Sequence, residues 1–372
     1  MNRCAILALS TALCAAPVAV FAPLEAAAQT KPAAAFKAPR NAFGQPDLSG
    51  YWSNSTLTPM ARPAAFGTRA VHTPEEVAKL EAAVVAEVEE GNTPTDPNAP
   101  AEAPPRSTAN VRPEFAAAGG DVGGYNRGWL DPGGHVMRVG GEPRTSMITT
   151  TANGQPPPRK AGAPAPQGFG GGGRGGSFDN PESRSLGERC IIGFGRNAGP
   201  PMFPNGFYNN NYRFVQTADA FIIEVEMNHD LRIVRLNSTH RTDGQRPYFG
   251  DSIGRWEGDT MVVETTNIPQ RQAFMGSWKD LKVTERFTRV GKDRVRYQFS
   301  LDDPTLWDKP WGGEYEFAPL EGVIYEYACH EGNYALPGIL GGARVEEANA
   351  AKAKAAEPGK PAAAKGGAGG AN

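Results

Sequence analysis

From about Tyr212 onward, apolar residues recur at every second position, the period of a strand that buries one face. Phe221, Ile223, Val225 and Met227 fall on one side of the first run, with Glu224 and Glu226 on the other. Val295, Tyr297, Phe299 and Leu301 oppose Arg294, Arg296, Gln298 and Ser300, and Val323, Tyr325, Tyr327 and Cys329 make a third apolar face. Turn signals divide these runs at Thr217-Ala218-Asp219, Glu257-Gly258-Asp259, Gly291-Lys292-Asp293 and Pro319-Leu320-Glu321-Gly322. The spacing predicts about eight strands between residues 211 and 329, joined as successive antiparallel hairpins. No helical period interrupts them, which disfavours a βαβ arrangement. The fold class is therefore mainly β: an antiparallel up-and-down barrel or a sandwich, with the barrel preferred. Residues 121–150, which carry YNRGWLD and RTSMITT, add one or two strands to the same core.

One helix precedes this region. Thr73 caps it, Pro74 occupies its first turn, Glu76 completes a capping box and Gly91 ends it. Val77, Leu80, Val84 and Val88 form one apolar stripe, so the helix is expected to lie on the surface with Glu81, Glu87, Glu89 and Glu90 in water.

Composition then marks where regular structure stops. The 45 glycines and 33 prolines concentrate at residues 92–120 and 152–180, read as mobile linkers, and residues 348–372 form an Ala/Lys/Gly/Pro tail read as disordered. At the other end, Arg3, the small and apolar run from Cys4 to Leu24 and the Ala26-Ala27-Ala28 sequence read as a signal peptide cleaved after Ala28. The mature chain is then one β-rich domain over 29–347, located in the periplasm or outside the cell. Later hydrophobic runs are all broken by charge, so no membrane span is predicted. A formal net charge of −2 gives no basis for nucleic-acid binding.

Export also fixes the cysteine chemistry. Cleavage removes Cys4 and Cys14 and leaves Cys190 and Cys329, which in an oxidising compartment are expected to pair with each other. That bond would close a loop of about 140 residues.

The strings PDLSGYW at 46–52, GDSIGRWEGDTMVVETTN at 250–267, ERFTR at 285–289 and YEYACHEGNY at 325–334 resemble a family of exported bacterial proteins. The resemblance covers most of the mature chain outside the linkers. It implies export and a β-rich fold, and carries no catalytic assignment. Gly50-Tyr51-Trp52 and Gly254-Arg255-Trp256 also resemble the Gly-x-Trp element of lipocalin-like barrels, where the tryptophan plugs one end.

Two of the five histidines stand directly before a carboxylate at a predicted strand end: His229-Asp230 and His330-Glu331. Histidine titrates near neutral pH and a neighbouring carboxylate can fix its tautomer, so both pairs are candidate general acids and bases. Their simpler reading is a hydrogen-bonded turn. A Cys190–Cys329 bond would bring Glu188 and Arg189 within side-chain reach of His330 and Glu331, a grouping suited to a carboxylate, phosphate or sugar hydroxyl, or else a surface ion-pair network. The cluster MFPNGFYNNNYRF from Met202 to Phe214 offers Asn209 and Tyr212 for hydrogen bonding and stacking against a sugar or aromatic ring, or equally forms an ordered loop capping the barrel. No HExxH, His-x-His or CxxC spacing occurs, and no metal or other cofactor is assigned. The sequence thus points to an exported barrel that binds a small organic ligand, sugar-like or aromatic, with acid–base turnover by the His/carboxylate pairs as its enzymatic form. The rival is a non-catalytic envelope or scaffold protein making protein contacts.

Overall fold

The inward positions of the period-two runs close on one another in a barrel. The structure is a computed structural model that describes residues 36–91, 131, 133–163, 177–193, 195–206 and 209–356. The expected signal peptide and the 92–120 linker lie outside those residues. Eight strands run from residue 211 to residue 319: β4 (Asn211–Gln216), β5 (Ala220–Val225), β6 (Leu231–Leu236), β7 (Asp251–Glu257), β8 (Thr260–Thr266), β9 (Lys282–Gly291), β10 (Arg294–Asp302) and β11 (Trp311–Pro319). A ninth, β1 (Gly50–Ser53), pairs antiparallel with both β4 and β11 and closes the cylinder. Closure gives each of the nine barrel strands a neighbour on both sides.

The structure departs from the expected hairpin series at one junction. β6 and β7 are parallel, paired through Arg235 with Ile253 and Leu236 with Gly254, and the segment 237–250 returns the chain between them. A parallel connection needs about a dozen residues or more, which this segment provides.

Three further expectations are corrected. The alternating stretch Val323–Cys329 is not a strand, and Val323 and Tyr325 are exposed. The edge it would have joined is already taken, because β1 pairs with the outer edge of β11. Of residues 121–150, those described (131 and 133–150) form no strand of the barrel: β2 (Arg138–Val139) and β3 (Glu142–Pro143) form a separate ribbon, and Ile148 makes one bridge to Gly313 of β11. The tail contains helix α2 (Ala335–Ala356), whose Ala, Lys and Glu content favours helix without any core to pack on. The linker 152–180 is also fastened over its first part. Arg62 donates to the Ala152 carbonyl, and the Lys160 N–H to the Leu306 carbonyl.

The N-terminal helix α1 (Pro74–Gly91) forms as the sequence requires. The Thr73 N–H donates to Glu76 Oε2 at 2.9 Å and the Glu76 N–H to Thr73 Oγ1 at 3.2 Å, a reciprocal capping box. Its faces differ from the expected pattern, since Glu87 is buried and Leu80 is exposed.

Aromatic rings fill the barrel. Phe214 meets Phe221, Phe287 and Phe317 edge-to-face with centroids 5.3–5.7 Å apart, and all four rings are buried. Truncating one such ring to alanine costs about 3–5 kcal/mol. Near the start of the barrel, Trp52 Nε1 donates to the Leu48 carbonyl at 3.0 Å, and Arg289 stacks 5.4 Å from the Trp52 ring while donating to the Asp47 carbonyl. The tryptophan of the first Gly-x-Trp element is thus buried between the chain's entry and β9.

Candidate functional site

The segment Arg196–Phe203, RNAGPPMF, docks on buried lumen side chains and forms a plug. Two adjacent prolines remove two donors and bar it from a ladder, yet its remaining polar backbone groups are buried and need partners. Lumen side chains supply them. Arg232 Nη1 donates to the Ala198 carbonyl at 2.9 Å, and the Tyr212 hydroxyl to the Asn197 carbonyl at 3.1 Å. The Met202 N–H donates to the Tyr297 hydroxyl at 2.9 Å, while its carbonyl accepts from the Tyr315 hydroxyl at 3.1 Å.

A second tier orients those groups. Arg232 and Glu285 form a bidentate ion pair that is fully enclosed, and the Tyr297 hydroxyl donates to Glu285 Oε1 at 2.7 Å. Asn54 Nδ2 donates to the hydroxyls of Tyr212 and Tyr315, each at 3.1 Å. Burial raises all three phenols well above their ordinary range, so they remain protonated donors. This polar set inside an aromatic barrel is accounted for by the plug it holds.

Beside the plug lies a partly open recess of about 10 Å³, the space of about one water molecule. Ile192, Gly193, Arg196, Asp230, Phe249 and Gln272 line it with the plug backbone. Arg196 is buried; its Nη1 donates to the Gln272 carbonyl at 3.1 Å and its Nη2 to the Pro200 carbonyl, and its guanidinium lies 4.9 Å from the Phe274 ring centre. No carboxylate pairs with it among the described residues, and its Nε has no partner. Burial, reinforced by the Arg232 charge, pulls the guanidinium down to about 10.

Asp230 enters from the opposite direction. It follows a tight turn in which Asn228 and His229 hold left-handed φ values of 57° and 45°, and this turn sends His229 to solvent while Asp230 is buried. Asp230 Oδ2 accepts the Gly193 N–H at 2.8 Å. Burial pushes its carboxyl up to about 6, against that N–H and the Asn228 side chain, which favour the anion. The recess therefore carries one buried cation and one carboxyl that titrates near neutrality.

No family model matches the chain, and no curated protein does. Its chemistry is read from the site itself.

The other expected site residues are placed as follows. Cys190 and Cys329 are bonded, with S–S 2.04 Å and Cα–Cα 5.7 Å. His330 and Glu331, just beyond the bond, are exposed, and neither histidine of the two pairs lines the recess. Glu188 engages Arg184 at 2.8 Å and the Ser185 N–H at 2.9 Å. Among the described residues no ion pair or hydrogen bond joins Glu188 or Arg189 to His330 or Glu331. Asn209 donates to Glu226 and gives its carbonyl to Asn197, and Tyr212 belongs to the lumen set. Of the Met202–Phe214 cluster, Met202 and Phe203 belong to the plug and Asn211–Phe214 to β4. No three His, Cys, Asp or Glu side chains gather into a metal-sized group among the described residues.

Sequence reasoning passed over Arg196, Arg232, Glu285, Phe249 and Gln272. Two of these carried a signal. Glu285 stands in phase with Val283 and Phe287, and Arg232 in phase with Val234 and Leu236, so both charges occupy inward positions of buried strands. Arg196 and Gln272 lie in irregular segments where no period applies.

Proposed function

We propose that this protein is a ligand-binding barrel of an extracytoplasmic compartment whose small organic ligand docks over the mouth of the recess beside the plug, not in the lumen. The observation that carries this reading is the buried Arg196, which faces a recess and has no carboxylate of its own. Buried charges are ordinarily paired, and Arg196, held only by two carbonyl oxygens and a ring face, makes the recess the candidate site. Among the described residues, phenylalanine rings pack the lumen and the plug uses its polar groups. The Cys190–Cys329 bond supports residence in an oxidising compartment. His330 and Glu331, the other candidate acid–base pair, are exposed.

Amide chemical-shift mapping tests the assignment, using a panel of glucose, phenol and pyruvate. At least one compound is expected to shift the amides of Ile192, Gly193, Arg196 and Asp230. Shifts confined to the Cys329–Asn333 segment, or none from any compound, would overturn it. A second reading, protein contact, is favoured by one feature: the half of α2 from Val345 onward is exposed on all sides. Binding of the panel with no effect from deleting that half speaks for the first reading.

A further inference from the structure

We infer that β6 carries an interaction surface for a second copy of this chain: the unpaired backbone of Leu231 and Ile233 takes the 323–327 segment of that copy as an added antiparallel strand, and each copy gives its own segment in return.

The ladder between β5 and β6 fixes which way each backbone group of β6 points. The Leu236 N–H donates to the Asp219 carbonyl at 2.8 Å and the Val225 N–H to the Asp230 carbonyl at 2.9 Å. Bonded pairs alternate along an antiparallel ladder, so Arg232 and Val234 turn their N–H and C=O to β5 while Leu231 and Ile233 turn theirs to the other side. On that side β7 meets β6 only at Arg235 and Leu236, and among the described residues no hydrogen bond reaches the backbone N–H or C=O of Leu231 or Ile233. The same two residues are the most exposed large apolar residues of the barrel strands, at 53% and 59%. Ile233 continues an outward row with Val215 of β4 and Ile222 of β5, whereas the outward positions of β10 are Arg294, Arg296, Gln298 and Ser300. An apolar face beside unsatisfied strand backbone is the form of a strand-addition site.

The chain also holds a strand-like segment without an edge. Val323, Tyr325 and Tyr327 alternate with Ile324 and Glu326, yet the segment is in no ladder and Tyr325 is 70% exposed. Set antiparallel on β6, Tyr325 falls opposite Ile233 and Tyr327 opposite Leu231, so the unpaired N–H and C=O groups meet their complements and two aromatic rings lie against two aliphatic side chains. Charge agrees with this pairing. Residues 319–331 carry Glu321, Glu326 and Glu331 and no lysine or arginine, while the outward charges around the apolar row are Arg213, Arg235 and Glu224, two bases to one acid. Both parts lie at one end of the barrel, since the Tyr325 N–H donates to Glu226 Oε2 at 3.3 Å just before β6 begins. Within one chain the segment stays off its own β6, which leaves a second copy as the occupant, and a two-fold axis at that end lets the exchange be mutual.

Sedimentation velocity and amide hydrogen exchange test this on the protein purified after export. It is expected to pass from monomer to dimer with a Kd on the order of 10 µM, as suits a short ladder and a small apolar face. The Leu231 and Ile233 amides should exchange about 5-fold more slowly at about 200 µM than at about 1 µM, while the Arg235 amide, within the β7 ladder, stays protected at both. Ile233→Asp and Tyr325→Asp alter exposed side chains, so each should keep the Tm of the unaltered monomer and weaken dimerisation about 10-fold or more. An equal mixture of the two variants should dimerise more tightly than either alone, because one intact segment then meets one intact edge. If a variant fails to fold, exchange in the unaltered protein still decides. A protein that stays monomeric at about 200 µM, a dimer in which Leu231 and Ile233 exchange as fast as in the monomer, or a mixture no tighter than its components would overturn the surface.

Discussion

At the scale of single residues, the most consequential group is Asp230, because its burial links stability to pH. The folded protein holds the Asp230 proton more tightly than the unfolded chain, where the carboxyl titrates near 3.8 and not near 6. Asp230 therefore favours the fold below about 3.8, and that contribution is lost as pH rises through about 6. Asp230→Asn keeps an acceptor for the Gly193 N–H and removes the buried charge. The variant should gain up to roughly 3 kcal/mol at neutral pH and little at about pH 4, read from urea unfolding at both values. The Arg232–Glu285 pair behaves differently. Arg232→Met leaves the Glu285 carboxylate buried alone and should cost roughly 3–5 kcal/mol, while adding Glu285→Leu should restore much of the loss. Both charges were legible in principle, since each occupies an inward position of an alternating strand. The pattern marks them as buried but does not say that they serve a plug, because RNAGPPMF has no period of its own.

At the scale of elements, the plug is held by side chains from four different strands, so its attachment can be loosened one bond at a time. Tyr297→Phe leaves the Met202 N–H without its acceptor, and Tyr315→Phe leaves the Met202 carbonyl without its donor. Each should cost about 1–3 kcal/mol. Hydrogen exchange separates the two, since the Met202 amide should exchange faster in Tyr297→Phe and stay protected in Tyr315→Phe. Gly312 and Gly313 of β11 are required by close approach: an added Cβ would sit 1.8 Å from the Phe299 carbonyl oxygen at Gly312 and 1.9 Å from that of Met147 at Gly313. Val323–Cys329 alternates as well as any strand, but alternation reports a strand only where an edge is free to receive it, and β1 had already taken that edge. Capping chemistry, which is local, was fully legible at Thr73 and Glu76.

At the scale of the whole molecule, the disulfide joins residues 139 apart and ties the segment leading into the plug to the chain beyond the barrel. Closing so long a loop is worth about 4–5 kcal/mol in the entropic model. Reduction should lower Tm by several degrees, measured by calorimetry with and without reductant. It should also weaken binding at the recess, since Ile192 and Gly193 lie two and three residues after Cys190 and line it. The central claim is that a plugged barrel presents its ligand site at the recess and not inside. The most direct test is a crystal structure of the protein grown with a compound of the glucose, phenol and pyruvate panel that binds it. It should show the ligand over the mouth of the recess, against Asp230, with Arg196–Phe203 still seated on Tyr297 and Tyr315. A ligand inside the lumen with that segment displaced, or one seated against His330 and Glu331, would contradict it.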